Sequence, residues 1–230
     1  MSIIKIGQSI GIRIISHVSA VFIKSFWLGK IEGINRIPSS PCIIISNHES
    51  YLDFLLLGYA LKKKANKNFR FWAKSKVVKH VFWKTYSNIF NSIEVNENGN
   101  YRNLNELSLQ ALSNGDYVCI FPEGRRSRDG ELQKFKEGYL HLASAHGIEV
   151  VPAFLENTFE TWPTHKRFPG LKRCNITFHQ PIKISKNLTD SETDEVNRMF
   201  MKKYESIKRL SDHIKSDKQQ NNRDITGNNT

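Results

Sequence analysis

The sequence predicts an α/β fold: a single domain with a mostly parallel central sheet flanked by helices, preceded by an N-terminal amphipathic helix suited to a membrane interface. Three observations carry that expectation. Short β-branched runs alternate with helical stretches, as they do when strands are joined by crossover helices. The clearest run, CIIIS at 42–46, is apolar almost throughout, which suits a strand covered on both faces. A chain of 230 residues, 39% of them hydrophobic, is long enough for one sizeable core and short for two.

Taken in order, residues 1–30 form the interfacial helix, 31–210 the folded domain and 211–230 a polar tail. On a helix, Lys5, Ser9, Arg13, Ser16 and Lys24 line up as a narrow polar stripe, with Ile, Val and Phe filling the rest and Phe26 and Trp27 as anchors. Only ten residues separate Arg13 from Lys24, and a membrane span needs about 20 apolar ones. Lys24 also interrupts the run, and no small-residue cleavage site of a signal peptide follows. A helix docked on the protein's own core is the alternative.

CIIIS is the first core strand, followed by a helix from Asp53 to about Lys63 and a second strand, FRFWA. An apolar, basic stretch runs from Val77 to Phe90 before a short IEV strand. Tyr101 to Ser113 has helical periodicity and stops at Asn114-Gly115. YVCIF, a helix from Glu137 to His146, EVVPAF and CNITF continue the alternation, and Thr189 to Leu210 closes it as an amphipathic helix. Beyond it, the tail has too few apolar residues to order itself.

Thirty-four Lys and Arg against 22 Asp and Glu give a net charge of +12, which favours anionic partners: nucleic acid, an anionic membrane or phosphate-bearing molecules. Cys42, Cys119 and Cys174 are odd in number and far apart, so they read as buried small hydrophobes in a reducing compartment, without a disulfide or a metal site.

Chemistry concentrates in two segments. Ser46-Asn47-His48-Glu49-Ser50-Tyr51-Leu52-Asp53 follows the first core strand directly, where ligands bind in open α/β sheets. Five positions apart on one helix, His48 and Asp53 would diverge by about 140°, so pairing them requires a turn between them. With Ser50 as the helix cap, Asp53 would fall in the first turn and hold one ring nitrogen of His48 as N–H, leaving the other to accept a proton. Ser50-x-x-Asp53 is equally a variant capping box with no chemistry attached, and both readings stand. The second segment, FPEGRRSRDGELQKFKEG, places Glu123, Gly124, Arg125, Arg126, Ser127 and Arg128 where another strand ends. Closely spaced arginines suit phosphate recognition, and glycine lets backbone N–H groups approach a ligand.

Together, NHESYLD and FPEGRRSR resemble the His-x4-Asp and Phe-Pro-Glu-Gly blocks of the glycerolipid acyltransferase family, typified by 1-acylglycerol-3-phosphate acyltransferases. FWAKSKVVKHVFWKTYSNIF is similar to the family's Ala-Lys segment and following helix, and EVVPAFLENT to its proline-containing strand, so the likeness runs from about Ile31 to Ile184. The resemblance implies acyl transfer from acyl-CoA or an acyl carrier protein to a lysophospholipid, at the cytoplasmic face of a membrane, with no metal or bound cofactor. It also implies His48 as general base and Asp53 as its orienter, Glu123 and Gly124 shaping the acyl site, and Lys74 and Arg126 on acceptor phosphate. Arg125, Arg128 and Lys136 complete the expected substrate-binding set. One departure stands out. Where many members place a phosphate-gripping arginine, this chain has Glu97, so either Arg102 or the arginine cluster supplies the charge or the acceptor is another lysolipid, such as lysophosphatidylethanolamine. A nucleic-acid-binding module, suggested by FRFWAKSK and VFWKTY, is the rival class, but no recognised module pattern accompanies those stretches.

Overall fold

The computed structural model describes residues 15–74, 92–95 and 101–227. Among them, seven strands form one sheet: β1 (Leu28–Glu32), β2 (Ile43–Ser46), β3 (Phe69–Lys74), β4 (Ile93–Val95), β5 (Tyr117–Ile120), β6 (Val150–Glu156) and β7 (Cys174–Phe178). Their order is β1-β7-β6-β2-β5-β3-β4, and every pairing is parallel except β6 with β7. The expected mostly parallel sheet is therefore present.

Period-two alternation explains why β2 reads as an unbroken apolar run. Ile44 packs on one side with Leu52, Leu55 and Leu56 of the segment around helix α2 (Asp53–Tyr59). Ile43 and Ile45 point to the opposite side. There they meet helices α3 (Tyr101–Ser113), α4 (Gly138–His146) and α6 (Asp190–Gly227), which contribute Leu104, Tyr139, Phe200 and Tyr204. Strand β5 splits in the same way, Cys119 to one side and Val118 and Ile120 to the other. The three cysteines are buried and unpaired.

Some elements depart from the sequence reading. Leu28–Glu32 is an edge strand, so the sheet begins before residue 31; Lys30 N–H donates to Asn175 Oδ1 at 2.9 Å, docking it on β7. A short helix α5 (Thr158–Thr161) follows β6. The last helix continues to Gly227, through a stretch that contains no proline. Within it, Tyr204 Oη lies 2.7 Å from both Ile45 O and Ala153 O, donating its single proton to one or the other and pinning the helix to β2 and β6.

At the amino end, helix α1 occupies 15–22 and runs into a π turn at Ile23–Trp27. Ile23 is buried in the core and Trp27 packs against it, whereas Ile15, Val18, Val21, Phe22 and Phe26 are exposed. The polar positions Lys5, Ser9 and Arg13 of the expected stripe lie outside the described residues, as do the Val77–Phe90 stretch and Glu97. No helix among the described residues is long and apolar enough to cross a membrane.

Where β2 ends, a side chain takes over its hydrogen bonding. Asn47, fully buried, accepts from Leu155 N at 2.8 Å and donates to Leu155 O at 2.9 Å, extending the β2–β6 ladder by one step. Asn47→Ala should strand both backbone groups and destabilise the fold by about 2–4 kcal/mol, measured by urea unfolding.

Candidate active site

Three neighbouring parallel strands, β2, β5 and β3, end at one edge of the sheet, and the predicted residues hang from those ends. His48 follows β2, Glu123 and Gly124 follow β5, and Lys74 is the last residue of β3.

The turn that brings His48 to Asp53 is built by Asp53 itself. Its Oδ2 accepts His48 Nδ1 at 2.8 Å and the backbone N–H groups of Glu49 and Ser50, each at 2.7 Å. Oδ1 is buried without a partner among the described residues, so the compensation of this fully buried carboxylate comes through the oxygen that holds the imidazole. Ser50 is not the helix cap; that position falls to Leu52. Ser50 Oγ instead accepts from Leu52 N at 3.1 Å and donates to Trp162 O at 2.7 Å. Asp53 does sit in the first turn of α2, where a negative charge meets the positive end of the helix.

The ring of His48 rests on an aromatic bed. It stacks on Phe121 with centroids 4.1 Å apart and planes 15° from parallel, and Phe121 stacks in turn on Phe71 at 5.8 Å. With Nδ1 engaged and the side chain 18% exposed, Nε2 is the nitrogen left for a reactant. Composition and spacing did not reveal Phe121 as part of the site, because it reads simply as the end of a strand.

Glu123 works as a clamp. Its Oε1 accepts His48 N–H at 2.7 Å and its Oε2 accepts Gln133 N–H at 2.9 Å, so one carboxylate joins the loop after β2 to the loop after β5. A third link is Ser127 N–H donating to His48 O at 2.8 Å. Burial pushes the Glu123 carboxyl up to about 8 against the pull of those two N–H donors. Burial likewise raises Glu49 to about 8, with the negative charge of Asp53 adding to the effect. Lys208 of α6 offsets both; its Nζ donates to Gly130 O and stands 3.3 Å from Glu131 Oε2. Sequence reasoning had no route to Lys208, which sits 160 residues from His48 on an amphipathic helix.

Beside this arrangement lies a groove of about 590 Å³. Lys74, Arg125, Lys134 and Lys136 line it together with Glu123 and Gly124. Gly124 has φ +68, and a Cβ there would come within 3.1 Å of the Lys136 side chain, so glycine is what lets Lys136 lie across the loop. The arginine cluster does not act as a unit. Arg125 faces the groove and donates to Gln133 Oε1 at 3.0 Å, Arg126 stacks on Tyr51 at 3.8 Å, and Arg128 is exposed. Lys74 and Arg126, expected to share one phosphate, are thus placed differently: Arg126 is not among the residues lining the groove.

A histidine held by a buried carboxylate where parallel strands end, next to a groove lined by Lys74, Arg125, Lys134 and Lys136, is an arrangement able to carry general-base chemistry. Residues 29–156 match the family model described as Acyltransferase, and the chain belongs to that family. It is 30% identical over 173 residues to the chloroplastic 1-acyl-sn-glycerol-3-phosphate acyltransferase LPAT1 of Arabidopsis thaliana, covering 73% of this chain and 47% of that one. With the 1-acyl-sn-glycerol-3-phosphate acyltransferase of Haemophilus influenzae it shares 25% identity over 190 residues, 76% of this chain and 77% of the relative. The chain spans about half the length of the plant chloroplast relatives it matches. Its fold is similar to the crystal structure of the 1-acyl-sn-glycerophosphate acyltransferase PlsC from Thermotoga maritima, with a TM-score of 0.66 at 22% identity, covering 92% of this chain and 84% of that one.

Because Glu49 and Glu123 ionise at higher pH when folded than the ordinary 4.5, the folded state holds more protons between those values. The contribution of these two groups to stability should be full below about pH 4.5 and be lost as pH rises towards about 8. Glu49→Gln should flatten that decline and raise stability at pH 8 by on the order of 1–4 kcal/mol, read from urea unfolding at a series of pH values.

Proposed function

We propose that this chain transfers a fatty acyl group from an acyl thioester, carried on coenzyme A or an acyl carrier protein, to the free hydroxyl of a lysophospholipid, with 1-acylglycerol-3-phosphate as the leading acceptor. The observation that carries this reading is the 2.8 Å contact between His48 Nδ1 and Asp53 Oδ2, placed beside a groove lined by Lys74, Arg125 and Lys136.

Asp53 keeps the proton on Nδ1, so Nε2 presents its lone pair to the acceptor hydroxyl. As the hydroxyl proton moves to Nε2, the hydroxyl oxygen attacks the thioester carbonyl and the new imidazolium is stabilised by the carboxylate beneath it. Collapse of the tetrahedral intermediate breaks the carbon–sulfur bond, and the departing thiolate takes the proton back from Nε2. Hydroxyl and thioester are converted to ester and thiol, with no group left on the protein. Phe121 and the Glu123 clamp fix the ring and its backbone, which matters because a misplaced base forfeits much of its effect.

The cationic wall of the groove is what favours a phosphate headgroup over a zwitterionic one. Lysophosphatidylethanolamine is the second acceptor, in keeping with Glu97 at a position where many family members carry arginine. The exposed residues Ile15, Val18, Val21, Phe22 and Phe26 support an interfacial role for the amino-terminal helix at the cytoplasmic face of a membrane, where such acceptors reside.

Purified protein incubated with acyl-CoA or acyl-loaded carrier protein and a panel of lysolipids should release free thiol, fastest with 1-acylglycerol-3-phosphate. His48→Ala should lower turnover by about 10²–10⁴ with its circular dichroism unchanged; turnover at the wild-type level would overturn the mechanism. Lys136→Met should raise KM for the phosphate-bearing acceptor about tenfold and leave kcat within about twofold. Equal KM values in the two proteins would move the headgroup out of the groove.

A further inference from the structure

The loop between α5 and β7 displays the two most exposed large apolar side chains among the described residues, Phe168 at 72% and Leu171 at 73%. Nothing in the sequence reading or in the reaction uses them. Their exposure is not that of a loose loop. Gly170 N–H donates to Thr161 O at 2.7 Å, Trp162 Nε1 donates to Lys166 O at 3.1 Å, and Lys166 N–H donates to Pro163 O at 3.1 Å. Backbone and indole bonds thus fix the loop while its apolar tips point outward.

The same loop is tied to the amino-terminal segment. Trp27 Nε1 donates to Gly170 O at 2.9 Å, and the Arg173 guanidinium donates to Lys24 O at 2.9 Å and Leu28 O at 2.8 Å. Leu171 is therefore one residue from an atom bonded to Trp27, and Trp27 is one residue from the exposed Phe26, whose ring stacks on exposed Phe22 at 5.7 Å. Two stretches 143 residues apart in sequence thus meet at the Trp27–Gly170 bond, each carrying exposed apolar residues within two positions of it. Between Pro163 and Arg173 there is no acidic residue, and Lys166 and Arg167 flank the tips, while Lys172 stands 3.4 Å from Glu160 and Arg173 is held by backbone carbonyls, in a chain of net charge +12. Apolar tips flanked by cations match an anionic lipid surface: the side chains enter the acyl region and the cations stay with the headgroups.

We infer that Phe168 and Leu171 form a second membrane-insertion point, which together with Phe22 and Phe26 seats the protein on an anionic bilayer. The inference rests on the reading of the chain as working at a lipid surface and extends it to a named loop. It also connects that surface to the site. Trp162, at the root of the loop, accepts from Ser50 Oγ through its carbonyl and packs its ring 5.2 Å from Tyr51, which in turn carries Arg126. Seating at the loop would bring the His48 turn to the interface from which a lysolipid is drawn.

Leu171→Cys and Phe22→Cys variants of the full chain, each labelled with an environment-sensitive fluorophore, test this on vesicles of equal phosphatidylcholine and phosphatidylglycerol containing acyl-chain quenchers. The native thiols are buried and should stay unlabelled. Quenching at both positions is expected, and much weaker quenching on pure phosphatidylcholine. Quenching at 22 without quenching at 171 overturns the second insertion point and leaves the interfacial helix standing; quenching at neither overturns both. A Phe168→Asp, Leu171→Asp double variant should partition to the mixed vesicles at least about tenfold less, with an unchanged melting temperature. Unchanged partitioning, or a dimer in vesicle-free solution that the double variant abolishes, would overturn the proposal in favour of no partner or of a second copy.

Discussion

One carboxylate oxygen organises the centre of this protein. Asp53 Oδ2 receives the imidazole of His48 and the N–H groups of Glu49 and Ser50, so the contact that orients the ring also shapes the turn from strand to helix. A buried carboxylate without these donors would face a desolvation cost of several kcal/mol. Three donors at one oxygen offset it, and they can converge only if the chain reverses sharply after β2. Local fold and chemical geometry are in this sense a single interaction. Of the two readings of Ser50-x-x-Asp53, the capping box loses its cap, since Leu52 holds that position, and the aspartate oxygen instead receives the ring and the N–H groups of the turn.

Around that point the structure adds restraints from far along the chain. Glu123 clamps the backbone of His48 to the loop after β5, Phe121 supplies the face on which the ring rests, and Ser50 fastens the turn to Trp162. From the opposite side of the sheet, α6 reaches in with Tyr204 against the backbone of β2 and Lys208 near the buried carboxyls. The helix lies beyond residues 29–156, which match the family model, yet its side chains complete the electrostatics of the site. Burying the carboxyls Glu49 and Glu123 behind His48 is unfavourable to their charged forms, and Lys208 is the partial compensation.

The legible part of the fold was the part governed by local pattern. Runs such as 42–46 and 117–121 had to be covered strands because no face of them is polar, and Asn114-Gly115 ends a helix for reasons of backbone alone. Strand β1 escaped notice because LGKIE has neither a full apolar run nor a clean alternation; its place is set by β7, which lies at the far end of the sequence. The arginine cluster was legible as charge and illegible as geometry. Arg125, Arg126 and Arg128 are nearly adjacent, yet one faces the groove, one stacks on Tyr51 and one is exposed, because a turn sends neighbouring side chains in different directions.

By itself, the sequence determined the class of fold and the need for a turn if His48 and Asp53 are to meet, since those follow from period and spacing, whereas the choice of that pair rested on the resemblance to a family. Only the tertiary structure decided what surrounds the pair: the aromatic bed of Phe121 and Phe71, the clamp of Glu123, the counter-charge of Lys208, and the meeting of Trp27 with Gly170 that ties the Phe168–Leu171 loop to the amino-terminal segment. Each of these joins residues from distant parts of the chain. Such contacts depend on strand order and helix placement, which local periodicity constrains only to a class and the packing of both sheet faces makes unique.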